Sequence, residues 1–138
     1  MSNMDDLVQF LRDRLDEDET LAQNNGQWST SWQDLTTDGE LRDDANAGTV
    51  AYIPHVATRT HIARHDPARV LAQVTAVRGV LTEYDESAQA AATGNRALTR
   101  GTANMTLAAL KPVLAHLATA YAHHPDYQAD WSPRSSWS

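Results

Sequence analysis

The strongest helix signal in the chain is residues 66–84, DPARVLAQVTAVRGVLTEY. Asp66 is a good N-cap, because its carboxylate can accept the unpaired backbone N–H groups of a first turn, and Pro67 suits the first helical position. The apolar residues that follow are spaced by four, three, four and three positions, which places them on one helix face: Val70, Val74, Val77, Leu81 and Tyr84. The stretch therefore predicts an amphipathic helix over residues 67–84.

A second stripe of apolar residues at helical spacing lies in residues 103–122, and we call this stripe and the one in residues 70–84 the two seams. Its apolar residues step by three, four, three and four positions: Leu107, Leu110, Leu114, Leu117 and Tyr121. Pro112 lies inside this seam and costs about 3 kcal/mol in a helix interior, so we expect a kink there or a helix that starts near Lys111. The two seams predict helices that pack side by side in opposite directions. If one chain does not satisfy them, they would pair between chains in a homodimer.

A third helix is predicted over residues 4–23. One stripe of apolar residues recurs at helical spacing: Met4, Leu7, Val8, Leu11, Leu15 and Ala22. Ser2 or Asn3 is expected to cap this helix, which places Asp5 and Asp6 near the positive end of its dipole. The Asn-Asn-Gly sequence after the helix predicts its end.

The region after this helix has the alternation of β-strands. Residues 27–33 place Trp28 and Trp32 on one face of a short strand, and a second alternating run covers residues 50–56. Pro54 cannot donate to a sheet, so we expect the second strand to lie at an edge or to contain a bulge. The pattern predicts a small antiparallel sheet of two or three strands.

Three connections complete the prediction. Residues 36–48 are rich in turn formers. Residues 58–65 are read as a separate helical turn, capped by Thr58 or Thr60. Residues 85–101 are small and polar with two glycines, and they are read as a flexible connection with helical character over Glu86 to Ala92.

The predicted fold class is α+β, mainly helical, with three principal helices and a two- or three-stranded antiparallel sheet. A length of 138 residues suits one core. We expect a single α+β domain over residues 1–127, followed by an extended C-terminal tail over residues 128–138, in which Trp131 could pack against the domain.

Composition excludes several classes of protein. Acidic residues number 18 against 11 basic residues, and the formal charge of −7 argues against direct nucleic-acid binding. The absence of cysteine excludes disulfides, thiolate catalysis and cysteine-ligated zinc. No apolar run approaches the roughly 18 residues of a membrane span, and the N-terminus lacks the pattern of a secretory signal. We expect an acidic cytoplasmic protein that does not enter the membrane.

Three segments of the chain resemble a known family. They are HIARHDPARVL at residues 61–71, MDDLVQFL at residues 4–11, and AHHPDY at residues 122–127 followed by Trp131 and Pro133. Together they look like a family of small proteins from actinobacteria and their phages that is known only as a domain of unknown function. The resemblance implies such a bacterial or phage-associated setting. It implies no activity and no catalytic residues.

Histidines are the sharpest candidates for chemistry. His61 and His65 are four residues apart, so a helix over residues 58–65 would project both rings from one face. A second cluster follows the last predicted helix, and antiparallel packing would bring the two clusters together. The candidate metal ligands are His61, His65, Asp66, His123, His124 and Asp126.

This ligand set suits zinc, manganese or iron, and an open coordination position would allow hydrolysis by a metal-bound water. The spacing of His61 and His65 lacks the glutamate of the HExxH pattern. The structural alternative is that Asp66 only caps a helix and that the last histidines lie at a helix end, where the dipole favours cations.

Two surfaces are candidates for binding a partner protein. The candidate interface residues are Trp28 and Trp32 on the predicted strand, and Asp16, Glu17 and Glu19 on the first helix. Exposed tryptophans would anchor an interface, and an acidic run could occupy a nucleic-acid-binding partner. The alternatives are tryptophans that pack internally and acidic residues that are only solvated.

The chain contains neither a phosphate-binding loop nor a GxSxG motif. The predicted function is therefore a non-enzymatic protein–protein interaction module with an unidentified partner and no cofactor. One alternative is a metal-binding protein that uses zinc, with a metal-dependent hydrolase as its enzymatic form. The other is a phage structural or morphogenesis component.

Overall fold

The secondary structure is mainly helical. A computed structural model describes residues 2–34, 38–45 and 48–133. Within these residues the α-helices and strands are α1 (Asn3–Gln23), β1 (Trp32–Asp34), β2 (Glu40–Asp43), β3 (Thr49–Tyr52), α2 (Val56–Arg64), α3 (Pro67–Thr93) and α4 (Ala97–Ala118). Single 3-10 turns follow at Thr119–Tyr121 and Ala129–Trp131. The strands form one antiparallel sheet in the order β1-β2-β3, which confirms the predicted α+β class.

The chain divides into two compact units. The first unit comprises residues up to Leu15 and residues from Ala76 onward, and the second comprises Asp16–Thr75. Each unit is described separately below. The prediction of a single domain over residues 1–127 stays a prediction. Across the described ranges, no helix has both the length and the apolar character that crossing a bilayer requires.

The predicted apolar positions that lie in the first unit are buried or half-buried. Its buried apolar side chains are Leu7, Val8, Phe10, Leu11, Leu15, Leu81, Ala103, Leu114, Ala118 and Trp131. Helix α1 begins as predicted, because Ser2 Oγ accepts the backbone N–H of Asp5 (3.0 Å) while the Asp5 carboxylate accepts the backbone N–H of Ser2 (3.1 Å). Hydrogen bonds from the backbone N–H and the side chain of Ser2 lower the pKa of the Asp5 carboxyl.

Helices α3 and α4 form an antiparallel hairpin within this unit. Only three residues connect them, and one groove is lined by α3 residues around Glu83–Ala90 and by α4 residues around Leu98–Thr106. The early residues of α4 face the late residues of α3 in that groove, as antiparallel packing requires. A Cβ added at Gly94 would lie 2.6 Å from the carbonyl oxygen of Ala90, so glycine is needed where α3 ends.

Two predictions about these helices are refined by the structure. Residues 85–101 are predicted as a flexible connection with helical character over Glu86 to Ala92; this helical part is confirmed and extends to Thr93 as a continuation of α3, because its many alanines have high helix propensity. Helix α4 begins at Ala97 and runs through Pro112 to Ala118, so the alternative of a helix that starts near Lys111 is wrong, while the kink at Pro112 stays a prediction. Pro112 lacks the backbone N–H that would donate within the helix, which weakens the helix at this point. Leu114, two residues later, is fully buried, and its tertiary packing stabilises this part of the helix.

The second unit is built around the small sheet. In the β1–β2 pairing Trp32 lies opposite Asp43, and the β2–β3 register shifts between Leu41 and Arg42. The first predicted strand is correct only at its end, because Trp28 precedes β1 and Trp32 begins it. The predicted second strand is also shorter than expected. Helix α2 starts at Val56 with His55 as its N-cap, where Nδ1 accepts the backbone N–H of Thr58 (3.2 Å).

Buried polar groups tie the parts of the second unit together. Asp43 is almost fully buried, and its carboxylate accepts the hydroxyl of Ser29 (2.9 Å) and the backbone N–H of Ala45 (2.9 Å). Arg59 on α2 is 1% exposed; its Nε pairs with Asp34 on β1 and its Nη1 donates to the carbonyl of Ile53 (2.7 Å). Hydrogen bonds from Thr60 and Arg59 lower the pKa of the Asp34 carboxyl.

Part of the predicted C-terminal tail is folded. Residues 129–131 make a 3-10 turn, and Trp131 is 4% exposed. Its Nε1 donates to the side-chain oxygen of Asn3 at 3.0 Å, which fastens this segment to the start of α1. The end of the predicted tail, residues 134–138, lies outside the described residues.

Candidate functional site

A buried arginine organises the candidate site in the first unit. Arg14 on α1 is 7% exposed, and its guanidinium lies 5.1 Å from the centroid of the Phe10 ring one turn earlier. Its Nη1 lies 2.7 Å from Nδ1 of His124 and 3.8 Å from the carboxylate of Asp126. Nδ1 of His124 also accepts the backbone N–H of Asp126 at 3.0 Å. The turn after α4 is therefore attached to α1 through Arg14.

Aromatic rings fix the same turn from the other side. The Phe10 centroid lies 5.0 Å from that of Trp131, 5.7 Å from His124, 5.9 Å from Tyr127 and 6.3 Å from Tyr121. Most of these pairs meet edge to face, an arrangement that stabilises aromatic pairs beyond the area they bury. The segment therefore presents a defined surface beside α1.

A cavity of about 300 Å³ opens between α1 and this segment. Phe10, Arg14 and Trp131 contribute its aromatic and guanidinium surfaces. The remaining lining residues are carboxylates and amides: Asp6, Gln9, Asp13, Asp126 and Gln128. We call this cavity the acidic pocket, because three carboxylates outnumber the one guanidinium.

The helix period explains why α1 supplies five of these residues. The five residues recur at intervals of three, one, three and one, which places them on one face: Asp6, Gln9, Phe10, Asp13 and Arg14. The amide of Gln9 donates to the carboxylate of Asp13 at 2.8 Å. Asp6 and Asp13 are thus held on a helix, while Asp126 is supplied by the turn that follows α4.

A second cavity, of about 480 Å³, is the groove of the α3–α4 hairpin. Its lining is formed by alanine, serine and threonine side chains together with Leu98, Glu83 and Glu86. Leu98, which belongs to this lining, is 81% exposed. The two charged side chains that line the groove, Glu83 and Glu86, are exposed, whereas the acidic pocket includes the buried Arg14.

The predicted metal ligands lie in several different settings. The rings of His61 and His65 lie together, with centroids 4.3 Å apart. Asp66 caps α3 as predicted, because Oδ1 accepts the backbone N–H of Arg69 (2.9 Å) and Oδ2 accepts that of Trp32 (3.0 Å).

The other three predicted ligands belong to the first unit. His123 is exposed, whereas His124 and Asp126 contact Arg14. In the part of the chain that the structure describes, no three His, Asp or Glu side chains are grouped in a way that could hold a metal ion. The six-residue set stays a prediction.

The predicted interface residues are in the second unit. Trp28 and Trp32 are both half-buried, and the indole N–H of Trp32 donates to the carbonyl of Ser29 at 3.0 Å. On α1, Asp16 and Glu17 are exposed and Glu19 is half-buried, and each takes part in a polar interaction. The two tryptophans do not share one strand, because only Trp32 belongs to β1.

Sequence reasoning missed the acidic pocket. The spacing of Phe10 and Arg14 by four residues was a local signal that their side chains meet on α1. Nothing local linked them to Asp126 or Trp131, which lie more than a hundred positions away in the sequence.

Comparison with known proteins identifies the family. A family model described as a family of unknown function (DUF6221) matches residues 4–133. The chain belongs to this family. Membership in DUF6221 confirms the resemblance to a family of unknown function, while the actinobacterial or phage origin stays a prediction. No curated protein and no solved structure matches the chain significantly.

Proposed function

We propose that this member of DUF6221 is a non-enzymatic protein–protein interaction module. Its acidic pocket receives a basic side chain, arginine or lysine, from a partner protein. The observation that carries this proposal is the convergence of Asp6, Asp13 and Asp126 on a cavity with a buried aromatic surface.

The chemistry of the pocket suits an arginine best. A guanidinium donates forked hydrogen bonds to carboxylates and stacks on aromatic faces. The pocket supplies three carboxylates, and its lining includes the largely buried rings of Phe10 and Trp131. The described lining contains no hydroxyl, thiol or amine nucleophile, which favours recognition over covalent chemistry at this place.

The geometry also favours specificity. Trp131 and Arg14 are buried and hydrogen-bonded, so a partner would meet a preformed surface and lose little free energy in ordering it. The formal charge of −7 would accelerate association with a basic partner, most strongly at low salt.

Nuclear magnetic resonance can test the pocket directly with N-acetyl-arginine amide as the probe. We expect saturable shifts of the Trp131 indole N–H and of the backbone amides near Asp6 and Asp13. The double substitution Asp6→Asn and Asp13→Asn removes two solvent-accessible ion pairs worth about 1–2 kcal/mol together, so the dissociation constant should rise about 5- to 30-fold.

The matched control is the double substitution Glu83→Gln and Glu86→Gln in the α3–α4 groove. It changes the net charge by the same amount and should leave the affinity for the probe within about twofold. Equal weakening by both double variants would show that only net charge attracts the probe and would overturn the proposal.

A random peptide library displayed against the untagged protein tests for a protein partner. Selection on the wild type, with the Asp6→Asn and Asp13→Asn variant used for counter-selection, should enrich peptides with a central arginine or lysine. Recovery of peptides without basic residues, or no enrichment at all, would contradict this use of the pocket.

A further inference from the structure

The histidine pair on α2 has the features of a metal-chelating surface. His61 lies in the last turn of α2 and His65 is its C-cap. Their rings are exposed, with centroids 4.3 Å apart and planes tilted by 31°. Two imidazoles at this separation can turn one nitrogen each toward a shared ion, for which zinc–nitrogen bonds are about 2.0–2.1 Å.

A hydrogen bond selects the nitrogen of His65 that would bind. Nδ1 of His65 lies 2.8 Å from the carbonyl oxygen of His61. Because a carbonyl only accepts, Nδ1 carries the proton and the lone pair resides on Nε2. Metal-binding histidines commonly donate their second nitrogen to a backbone carbonyl in this way, which fixes the tautomer and the orientation of the ring.

Asp66 does not join the pair, although it is the next residue in the chain. Its two carboxylate oxygens accept the backbone N–H groups of Arg69 and Trp32. Arg64, which lies between the two histidines in the sequence, is exposed and can extend into solvent. The end of α2 carries the negative pole of the helix dipole, which favours a cation there.

We propose that His61 and His65 form a two-imidazole site for a divalent transition-metal ion of the zinc, nickel and copper group. Imidazole nitrogen is a ligand that these ions prefer, in contrast to magnesium and calcium. Water would fill the remaining coordination positions. This site involves two residues of the second unit and is independent of the acidic pocket.

Isothermal titration of the untagged protein with Zn²⁺ tests the proposal. We expect one ion per chain, and an affinity about tenfold or more weaker in His61→Gln and in His65→Gln, because each leaves a single imidazole. The control His123→Gln removes an exposed histidine from the first unit and should leave the affinity unchanged. Both site residues are exposed, and circular dichroism checks that each variant remains folded.

Long-range ¹H–¹⁵N spectra provide a readout independent of affinity. Before zinc is added, His65 should show the tautomer protonated at Nδ1, and zinc should shift its Nε2 resonance. The proposal is overturned if zinc does not bind, if the zinc affinity of folded His65→Gln equals that of the wild type, or if the zinc-dependent shift occurs on His123 instead.

Discussion

Asp66 joins two parts of the second unit, and its removal tests how the unit is held together. In Asp66→Ala the cap on α3 loses the acceptor for the Arg69 N–H, which costs about 1 kcal/mol. The backbone N–H of Trp32 loses its acceptor as well and is left in a partly buried position, which costs about 1–2 kcal/mol. We expect the free energy of unfolding to fall by about 2–3 kcal/mol.

Urea unfolding followed by circular dichroism measures this loss. With a denaturant slope of about 2 kcal/mol per molar, the midpoint should fall by about 1–1.5 M. Asp66→Asn should give an intermediate midpoint, because its amide oxygen replaces one acceptor while its NH₂ group cannot accept. The control Asp130→Ala, at an exposed position, should change the free energy by no more than about 0.5 kcal/mol.

Two results would refute the reasoning about Asp66. A midpoint for Asp66→Ala within about 0.2 M of the wild type would mean that neither hydrogen bond contributes measurably. Equal midpoints for Asp66→Ala and Asp66→Asn would mean that the two acceptors do not act separately.

Two further predictions concern other buried contacts. Trp131→Ala should lower the free energy of unfolding by about 3–5 kcal/mol in the same urea assay, because it removes a buried ring. Trp131→Phe keeps an aromatic ring and loses only the hydrogen bond to Asn3, so it should cost about 1–2 kcal/mol. Equal and small losses in the two variants would contradict a packing role for Trp131. The pKa of Asp34 lies below its ordinary 3.8 in the folded protein, so the ionised carboxylate stabilises the fold above about pH 4. This contribution to stability is lost as the pH falls through the folded-state pKa. Asp34→Asn should therefore be less stable at pH 7 and lose less stability on acidification, and a steeper acid decline in this variant would disprove the assignment.

Local chemistry predicted much of the helical structure. The spacing of apolar residues predicts the seams of α3 and α4 and the stripe of α1. The unpaired backbone N–H groups of a first helical turn predict the cap at Asp66. All of these signals act within a few residues of one another. The helical character predicted over Glu86 to Ala92 is part of α3, which continues to Thr93, because alanine is the best helix former.

The site was less predictable because it depends on contacts distant in the sequence. The stacking of His61 and His65 could be anticipated from a spacing of four residues. The acidic pocket could not, because it requires that the turn around Asp126 return to the first helix. No periodicity within α1 specifies which later segment will cover Phe10.

The first unit is discontinuous in the sequence, and this has a consequence for folding during synthesis. The second unit is one continuous stretch, Asp16–Thr75, whose contacts can form as soon as it leaves the ribosome. The first helix emerges earlier still, but the residues that cover Phe10 and Arg14 are translated more than a hundred positions later. Until then the nascent chain carries an uncovered apolar stripe, and we expect chaperones that bind such surfaces to contact it during translation.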